Sequence, residues 1–222
     1  YCVQDGGISG GNAMLLKNKT VVVVGGSSGI GLATAELARQ EGAEVIIASR
    51  SRDRLTPAAD RIGARPIVAD VTDDDSVAAL FRKCGAVDHV VVTAAQLKSG
   101  PFKSVAMEDV RATLESKFWG AWRVARAAEI NAGGSLTLVS GFLSVRPRPA
   151  SAIVGAANAS GNVGIAQINI RALKAGMIFI NILPILGINP LVLKFFTQGT
   201  MLGAPKGWGY SWVGVTRGVS PP

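Results

Sequence analysis

Three glycines, Gly25, Gly29 and Gly31, follow directly on a run of four valines at residues 21–24. The valines predict a strand buried on both faces, and residues 32–40 predict a helix after the glycines. A strand that turns through glycines into a helix N-terminus forms an anion site, because backbone N–H groups point outward and the helix dipole favours negative charge. The spacing therefore predicts that a nucleotide cofactor binds at Gly25, Ser27, Ser28, Gly29, Ile30 and Gly31.

Histidine and cysteine are too scarce for metal chemistry of the usual kind. The chain contains Cys2, Cys84 and His89, too few for a typical zinc cluster, so no metal is expected. Asp88 and His89 would suit a catalytic triad with a serine, but His89 lies early in a predicted strand, away from the carboxyl ends, which favours a structural role. The few cysteines indicate a reducing compartment, and we expect a cytoplasmic location.

Alternating strands and helices would position these residues. Strands are predicted at residues 21–24, 45–48, 66–71, 87–92, 135–140 and 177–183. Helices are predicted from Ile30 to a stop at Gly42, at residues 52–62, after a cap at Thr72, and at residues 107–131 and 150–175. Such alternation implies an α/β fold with a doubly wound parallel sheet, Rossmann-like and three-layered, whose cofactor lies at the carboxyl ends of the strands.

The composition is that of a globular protein. Of 222 residues, 48% are hydrophobic and 17% are charged, and the length suits one domain. The longest apolar stretch, residues 177–186, is too short to cross a membrane and contains Asn181 and Pro184, so it predicts a buried strand. Residues 1–13 are rich in glycine and lack periodicity, so we expect them to be foreign to a single domain over residues 14–222.

The charges are unevenly distributed along the chain. All 15 acidic residues lie at or before Glu129, whereas residues 130–222 hold seven basic residues. One interpretation is a basic face for nucleic acid, and the other is a glycine-rich, apolar half with few charges of any kind. The second is favoured because no cluster of Lys and Arg interleaved with aromatics accompanies the imbalance. We expect neither a nucleic-acid nor a membrane partner.

Three elements, each at a strand end, resemble the short-chain dehydrogenase/reductase family. They are the Gly25-x-x-x-Gly29-Ile30-Gly31 turn, the pair Asp70-Val71, and Thr93-Ala94-Ala95, which is similar to the family's Asn-Ala-Gly turn with Thr for Asn and Ala for Gly. The resemblance runs from about residue 15 to residue 145. It implies an oxidoreductase that transfers a hydride between a nicotinamide cofactor and a carbonyl or alcohol substrate, with Asp70 and Val71 at the adenine.

The choice of cofactor can be inferred from the end of the second strand. Ser49 and Arg50 stand where an acidic residue would hold the adenosine ribose hydroxyls of NAD. Because no acid is present and a guanidinium can bind a 2′-phosphate, the sequence favours NADP over NAD. Arg52 and Arg54 would assist; the less favoured alternative is that the arginines are simply the solvated start of a helix.

The family's catalytic residues are where the resemblance ends. Its Tyr and Lys, four residues apart in the fifth helix, correspond to Val154 and Asn158, and valine has no proton to give. Ser140 would serve as the family's Ser, although the register favours Gly141. The family's structural Asn corresponds to Lys117. General acid–base groups typically contribute about 10²–10⁴-fold, so turnover without another donor would be slow.

Few side chains could replace the missing donor. Lys117 could approach from the fourth helix with a pKa lowered by burial, or it could extend its amine to solvent as helix lysines commonly do. Ser140 and Ser144 could bind a carbonyl, or they could form hydrogen bonds at the strand end. Lys117 and Ser140 are the candidate catalytic residues.

Residues 150–222 diverge from the family. Residues 180–184 resemble its sixth strand and the turn toward the nicotinamide, which adds Pro184 to the expected cofactor residues. The substrate lid and the helix after it are expected to be shortened or absent. Small residues in the fifth helix, such as Ala156 and Ala157, would let another helix approach, and the family pairs its fourth and fifth helices across a two-fold axis. A homodimer or homotetramer is therefore expected.

Two functions remain open. The first is an NADP(H)-dependent oxidoreductase of the short-chain type with a substituted proton donor. The second is a cofactor-binding protein without turnover, which acts as a sensor or as an assembly partner. Val154 and Asn158 favour the second, and the glycine turn fits both.

Overall fold

The valine-rich segments form the centre of one parallel sheet in the computed structural model, which describes residues 14–144, 148–160 and 176–180. Its strands are β1 (Thr20–Val24), β2 (Glu44–Ser49), β3 (Arg65–Val68), β4 (Val87–Val92), β5 (Ile130–Val139) and β6 (Gly176–Ile180). They lie in the order β3-β2-β1-β4-β5-β6, and every neighbouring pair is parallel. The predicted doubly wound sheet is confirmed.

Helices cover both faces of the sheet. They are α1 (Gly29–Gln40), α2 (Arg52–Ile62), α3 (Asp74–Cys84), α4 (Met107–Leu114), α5 (Gly120–Ala127) and α6 (Ala152–Ser160). Val21 and Val23 of β1 pack with α1 and α2 on one face. Val22 and Val24 pack with α3 and α5 on the other. Each strand of a parallel sheet is buried on both faces, which explains why the valines run without alternation.

The order of the strands places a crevice next to β1. The chain leaves β1 toward β2 on one side and later returns to β4 on the other. Helices after β1 and β4 therefore lie on opposite faces, and a gap opens between them at the carboxyl ends of the strands. Ligands of open α/β sheets bind at such a switch point.

The helix predicted over residues 107–131 is broken. A π-helical turn (Glu115–Trp119) separates α4 from α5, and the helix ends at Ala127. The backbone N–H of Val87 donates to the carbonyl of Glu129 at 2.9 Å, so the chain joins the sheet earlier than predicted. Gly133, at φ +79°, lies where the pairing of β5 with β4 is irregular. Tertiary strand pairing therefore overrides helix propensity in residues 128–131.

Two further boundaries differ from prediction. Asp73, not Thr72, caps α3, because its carboxylate accepts the backbone N–H groups of Asp75 and Ser76. Thr72 instead donates to Asp70. β3 ends at Val68, two residues before Asp70, so Asp70 and Val71 lie in the loop beyond the strand.

Some predictions fall on other parts of the chain. The fifth predicted helix is described only as far as Ser160, and the sixth strand only as far as Ile180. Pro184, residues 1–13 and the region of the lid lie outside the described residues. Among the helices that are described, none has the length and the apolar run needed to span a bilayer.

Candidate functional site

A cleft of about 530 Å³ opens at the carboxyl ends of β1, β2 and β4. Predicted cofactor residues from four separate segments line it: Gly25, Ser27, Ser28, Ile30, Gly31, Ser49, Arg50, Asp70, Val71, Thr93, Ala94 and Ala95. Gly29 begins α1 in the same turn. The fold therefore brings together residues that are up to 70 positions apart in the sequence, because parallel strands end at one edge of the sheet.

Two glycines at the base of the cleft lie too close to neighbouring atoms to carry a side chain. Gly25 has φ +95°, and a Cβ there would come within 2.5 Å of Thr93 Oγ1. A Cβ on Gly31 would overlap the carbonyl oxygen of Gly25. Thr93 secures this turn, because its hydroxyl lies 3.2 Å from the carbonyl oxygens of both Val24 and Gly25. The absence of side chains at Gly25 and Gly31 lets this turn pack closely against Thr93, and the packed turn forms a backbone cradle at the base of the cleft.

The start of α1 supplies the donors of this cradle. Ser28 is the N-cap residue, and its side chain makes no capping hydrogen bond. The hydroxyl of Ser27 donates instead to Ser49 Oγ at 3.0 Å, which joins the turn to the end of β2. The first amides of a helix need partners and carry partial positive charge. The residues present therefore fit the pyrophosphate of a dinucleotide.

A fixed carboxylate lies on the far side of the cleft. Asp70 Oδ1 accepts from the backbone N–H of Thr72 at 2.9 Å and from its hydroxyl at 2.8 Å. The backbone N–H of Asp70 lies 2.9 Å from Ser76 Oγ. These bonds hold the carboxylate in one orientation beside Val71.

Two of the three predicted basic residues reach the cleft. Arg50 and Arg54 line it, whereas Arg52 lines a second cavity of about 410 Å³ beside α2 and β3. Arg52 is thus separate from the cleft, and its interpretation as a helper is not supported. The Arg50 Nη1 atom donates to Gln96 Oε1 at 3.1 Å.

Sequence reasoning missed several lining residues, and Gln96 is one of them. It follows the Thr93-Ala94-Ala95 turn by one position, so the strand-end argument extended by one residue would have included it. Ser116 also lines the cleft. It comes from the π-helical turn, which helix propensity does not predict.

A small cavity of about 20 Å³ continues from the inner end of the cleft. Lys117, Ser140 and Asn158 line it, and Ala94 and Val139 line both spaces. Lys117 Nζ donates to the carbonyl oxygen of Val139 at 2.5 Å. Burial lowers the pKa of this amine to about 8, because the charged form loses hydration. The buried alternative for Lys117 thus fits better than an amine extended to solvent.

The serine hydroxyls beside this cavity are engaged with the backbone. Ser140 is 6% exposed, and its hydroxyl lies 3.4 Å from the carbonyl oxygen of Asn158. Ser144 donates to the carbonyl of Gly141 at 2.8 Å. Val154 is buried. A Cβ on Gly141 would lie 2.8 Å from Asn158 Nδ2, so the amide of Asn158 occupies the space beside Gly141.

His89 makes its contacts within the sheet. Its Nδ1 lies 2.9 Å from Ser135 Oγ on the neighbouring strand. The carboxylate of Asp88 accepts from the Thr20 backbone N–H at 2.9 Å and from Lys19 Nζ at 3.1 Å. Burial lowers the pKa of His89. These contacts fit the structural role rather than the triad.

Within the described residues, no group of three or more His, Cys, Asp or Glu side chains could hold a metal ion. A sequence profile described as enoyl-(acyl carrier protein) reductase matches residues 24–163, which begin at the last residue of β1 and include the glycine turn and α6. The chain belongs to the short-chain dehydrogenase/reductase family. Membership implies a nicotinamide cofactor and agrees with the resemblance carried by the glycine turn.

Two relatives of this short-chain dehydrogenase/reductase each match about half of the chain. The chain is 32% identical over 122 residues to "Uncharacterized oxidoreductase YxnA" of Bacillus subtilis, covering 51% of this chain and 34% of that one. It is 33% identical over 119 residues to "3-dehydrosphinganine reductase TSC10A" of Arabidopsis thaliana, and the match covers 51% of this chain and 36% of that one. The matches thus span about a third of the length of these two relatives.

A solved structure extends the similarity over more of the fold. The crystal structure of a short chain dehydrogenase from Mycobacterium smegmatis superposes with a TM-score of 0.68 at 26% identity. The match covers 76% of this chain and 78% of that one.

Proposed function

We propose that this protein is an NADP(H)-dependent oxidoreductase that interconverts a carbonyl and an alcohol on a small-molecule substrate. One observation carries the proposal. The cleft at the switch point joins a glycine cradle, which fits a pyrophosphate, to a rim formed by Arg50 and Arg54. The end of β2 has no carboxylate that would repel a 2′-phosphate.

Each part of the cleft would bind a different part of the cofactor. The amides at the start of α1 would receive the pyrophosphate, and Arg50 would pair with the 2′-phosphate. Asp70 and Val71 would flank the adenine. Ala94 and Ala95 would lie along the nicotinamide half, toward the small cavity. When bound, the cofactor supplies the hydride of the reaction.

A proton must come from the chain, and Lys117 is the proposed donor. Its amine lies beside the inner end of the cleft, and a pKa of about 8 leaves it mostly protonated at neutral pH yet able to release a proton. It would have to leave the carbonyl of Val139 to reach a substrate oxygen. Ser140 would orient that oxygen through its hydroxyl, which a weak 3.4 Å contact engages.

A second candidate function is cofactor binding without turnover, as a sensor or an assembly partner. The residues in and near the small cavity favour this second function. Val154 has no proton to donate, and Lys117 and Ser140, which line the cavity, already have backbone partners. This alternative needs only the cleft, which is common to both functions.

The proposal also covers the location, the assembly, the domain and the partners of the protein. We place it in the cytoplasm on the strength of its two cysteines and suggest a homodimer or homotetramer as its assembly. Residues 14–222 are proposed to form one domain. No nucleic acid or membrane is proposed as a partner.

Calorimetry and a turnover screen together test the proposal. NADP⁺ and NAD⁺ are titrated into the protein, and NADPH oxidation is then followed with a panel of aldehydes and ketones. We expect tighter binding of NADP⁺ and measurable turnover with part of the panel. Binding without turnover would support the second function, and absence of binding by either cofactor would refute both.

A further inference from the structure

Gln96 links two sides of the proposed cofactor cleft. Arg50 stands at the end of β2, and Gln96 follows β4, on the other side of β1. The Arg50 Nη1 to Gln96 Oε1 hydrogen bond of 3.1 Å therefore crosses the carboxyl end of the central strand. Both side chains line the cleft. The bond forms a bridge over the region where an adenosine ribose would lie.

The Gln96 end of this bridge is firmly anchored. The backbone N–H of Gln96 donates to Ser116 Oγ at 2.9 Å, and its carbonyl oxygen lies 3.2 Å from the same hydroxyl. Ser116 is 4% exposed. Two residues further on, the backbone N–H of Lys98 donates to the hydroxyl of Thr113, which is fully buried. The loop is thus held by its backbone, independently of the Gln96 side chain.

The Arg50 end has hydrogen-bonding capacity left over. A guanidinium carries five N–H donors in a fixed plane, and Gln96 engages one nitrogen. The remaining donors can face a phosphate while this bond persists. A free exposed arginine samples many rotamers, which it must give up when it binds a ligand. The bridge removes part of that freedom beforehand.

We propose that Gln96 is a positioning residue for cofactor choice, which holds the Arg50 guanidinium ready for a 2′-phosphate. The inference rests on the proposed function and deepens it. A cofactor with a 2′-phosphate benefits from the held guanidinium, and a cofactor with a free ribose hydroxyl gains little. Gln96 thus acts on the ratio of the two affinities rather than on binding in general.

The test is the effect of Gln96→Ala on the Kd of each cofactor, measured by calorimetry. We expect the Kd of NADP⁺ to rise about threefold to tenfold, the range for one hydrogen bond, with that of NAD⁺ nearly unchanged. Gln96→Glu should weaken NADP⁺ further, because its carboxylate competes with the phosphate for Arg50. Gln40 is the last residue of α1, whereas the glycine turn lies at the start of that helix. Gln40→Ala is the matched control and should change the Kd of neither cofactor.

A double-mutant cycle with Arg50→Ala separates positioning from a general effect on the cleft. The loss caused by Gln96→Ala should disappear when Arg50 is already absent. Additive losses, or equal losses for both cofactors, would overturn the role of Gln96 while leaving NADP(H) binding intact. If the unaltered protein bound neither cofactor, the proposed function and this inference would fail together.

Discussion

A guanidinium stands at the end of β2, where a carboxylate would hold a ribose, and this one side chain carries the proposed cofactor preference. Arg50→Asp should lower the affinity for NADP(H) by about 10-fold to 100-fold, because a charge-assisted hydrogen bond is lost and a repulsive charge is gained. Affinity for NAD(H) should rise, since the new carboxylate can accept from the ribose hydroxyls. Calorimetry with both cofactors measures the reversal.

Arg52→Asp provides the control for this reversal. It makes the same change of charge two residues further along the chain, but Arg52 lines the separate cavity beside α2. Its effect on cofactor preference should be small. A parallel fall in both affinities for Arg50→Asp, or an equal effect of Arg52→Asp, would mean that Arg50 acts through general charge alone.

Lys117 links stability to pH in a direction that burial sets. Its pKa is lowered to about 8 in the folded chain from an ordinary value of 10.5, so the unfolded chain binds more protons between these limits. Stability should therefore rise with pH in that window. Lys117→Met should stabilise the protein near pH 7 by up to about 3 kcal/mol, and the gain should shrink toward pH 10. Urea unfolding at several pH values measures it.

The comparison of the variant with the unaltered protein cancels other groups that titrate in this range. A gain that stays constant between pH 7 and pH 10 would contradict a buried amine at this site. The same variant bears on function. If Lys117 donates the proton, any turnover with NADPH should fall in Lys117→Met while cofactor affinity persists.

At the scale of elements, the glycine turn between β1 and α1 has no room for an added side chain at Gly25 or Gly31. Gly31→Ala should destabilise the fold by about 1–3 kcal/mol and weaken cofactor binding, because the new Cβ would meet the Gly25 carbonyl and Thr93. Thermal unfolding and calorimetry measure the two effects. Gly100→Ala, whose Cβ would lie 3.4 Å from Val105, is the matched control and should leave both nearly unchanged. Wild-type behaviour of Gly31→Ala would contradict the packing described here.

Most elements could be predicted from the sequence because their signals are local. The valine run, the glycine stops and the acidic start of α3 each reflect the physics of a few adjacent residues. The break in the helix predicted at residues 107–131 could not, since strand pairing with β4 draws residues 130 and 131 into β5. The π-helical turn likewise depends on tertiary contacts.

At the scale of the whole molecule, the cleft could be predicted from the sequence, but the side-chain contacts within it could not. Strand ends converge at a switch point whatever their side chains are, so Gly25, Asp70 and Thr93 could be grouped in advance. The pairing of Arg50 with Gln96, and the small cavity around Lys117, depend on side-chain directions that only the folded chain sets. Val154 could be recognised as lacking a proton, but its burial could not.

Assembly belongs to this scale as well. Light scattering at micromolar concentration should give the mass of a dimer or a tetramer, since Ala156 on α6 is small and exposed while Ala157 packs inward. Ala156→Arg should shift the mass toward the monomer, because a long charged side chain prevents close helix contact. A monomeric mass for the unaltered protein would contradict the proposed assembly.

The π-helical turn carries two neighbouring residues that contact different parts of the site. Ser116 holds the loop of Gln96, and Lys117 reaches the carbonyl of Val139. Under the proposed function, a change that shifts this turn would move both side chains, so the cofactor preference set through Gln96 and the proton donation by Lys117 would be coupled. Substitutions inside the turn would then change selectivity and rate together.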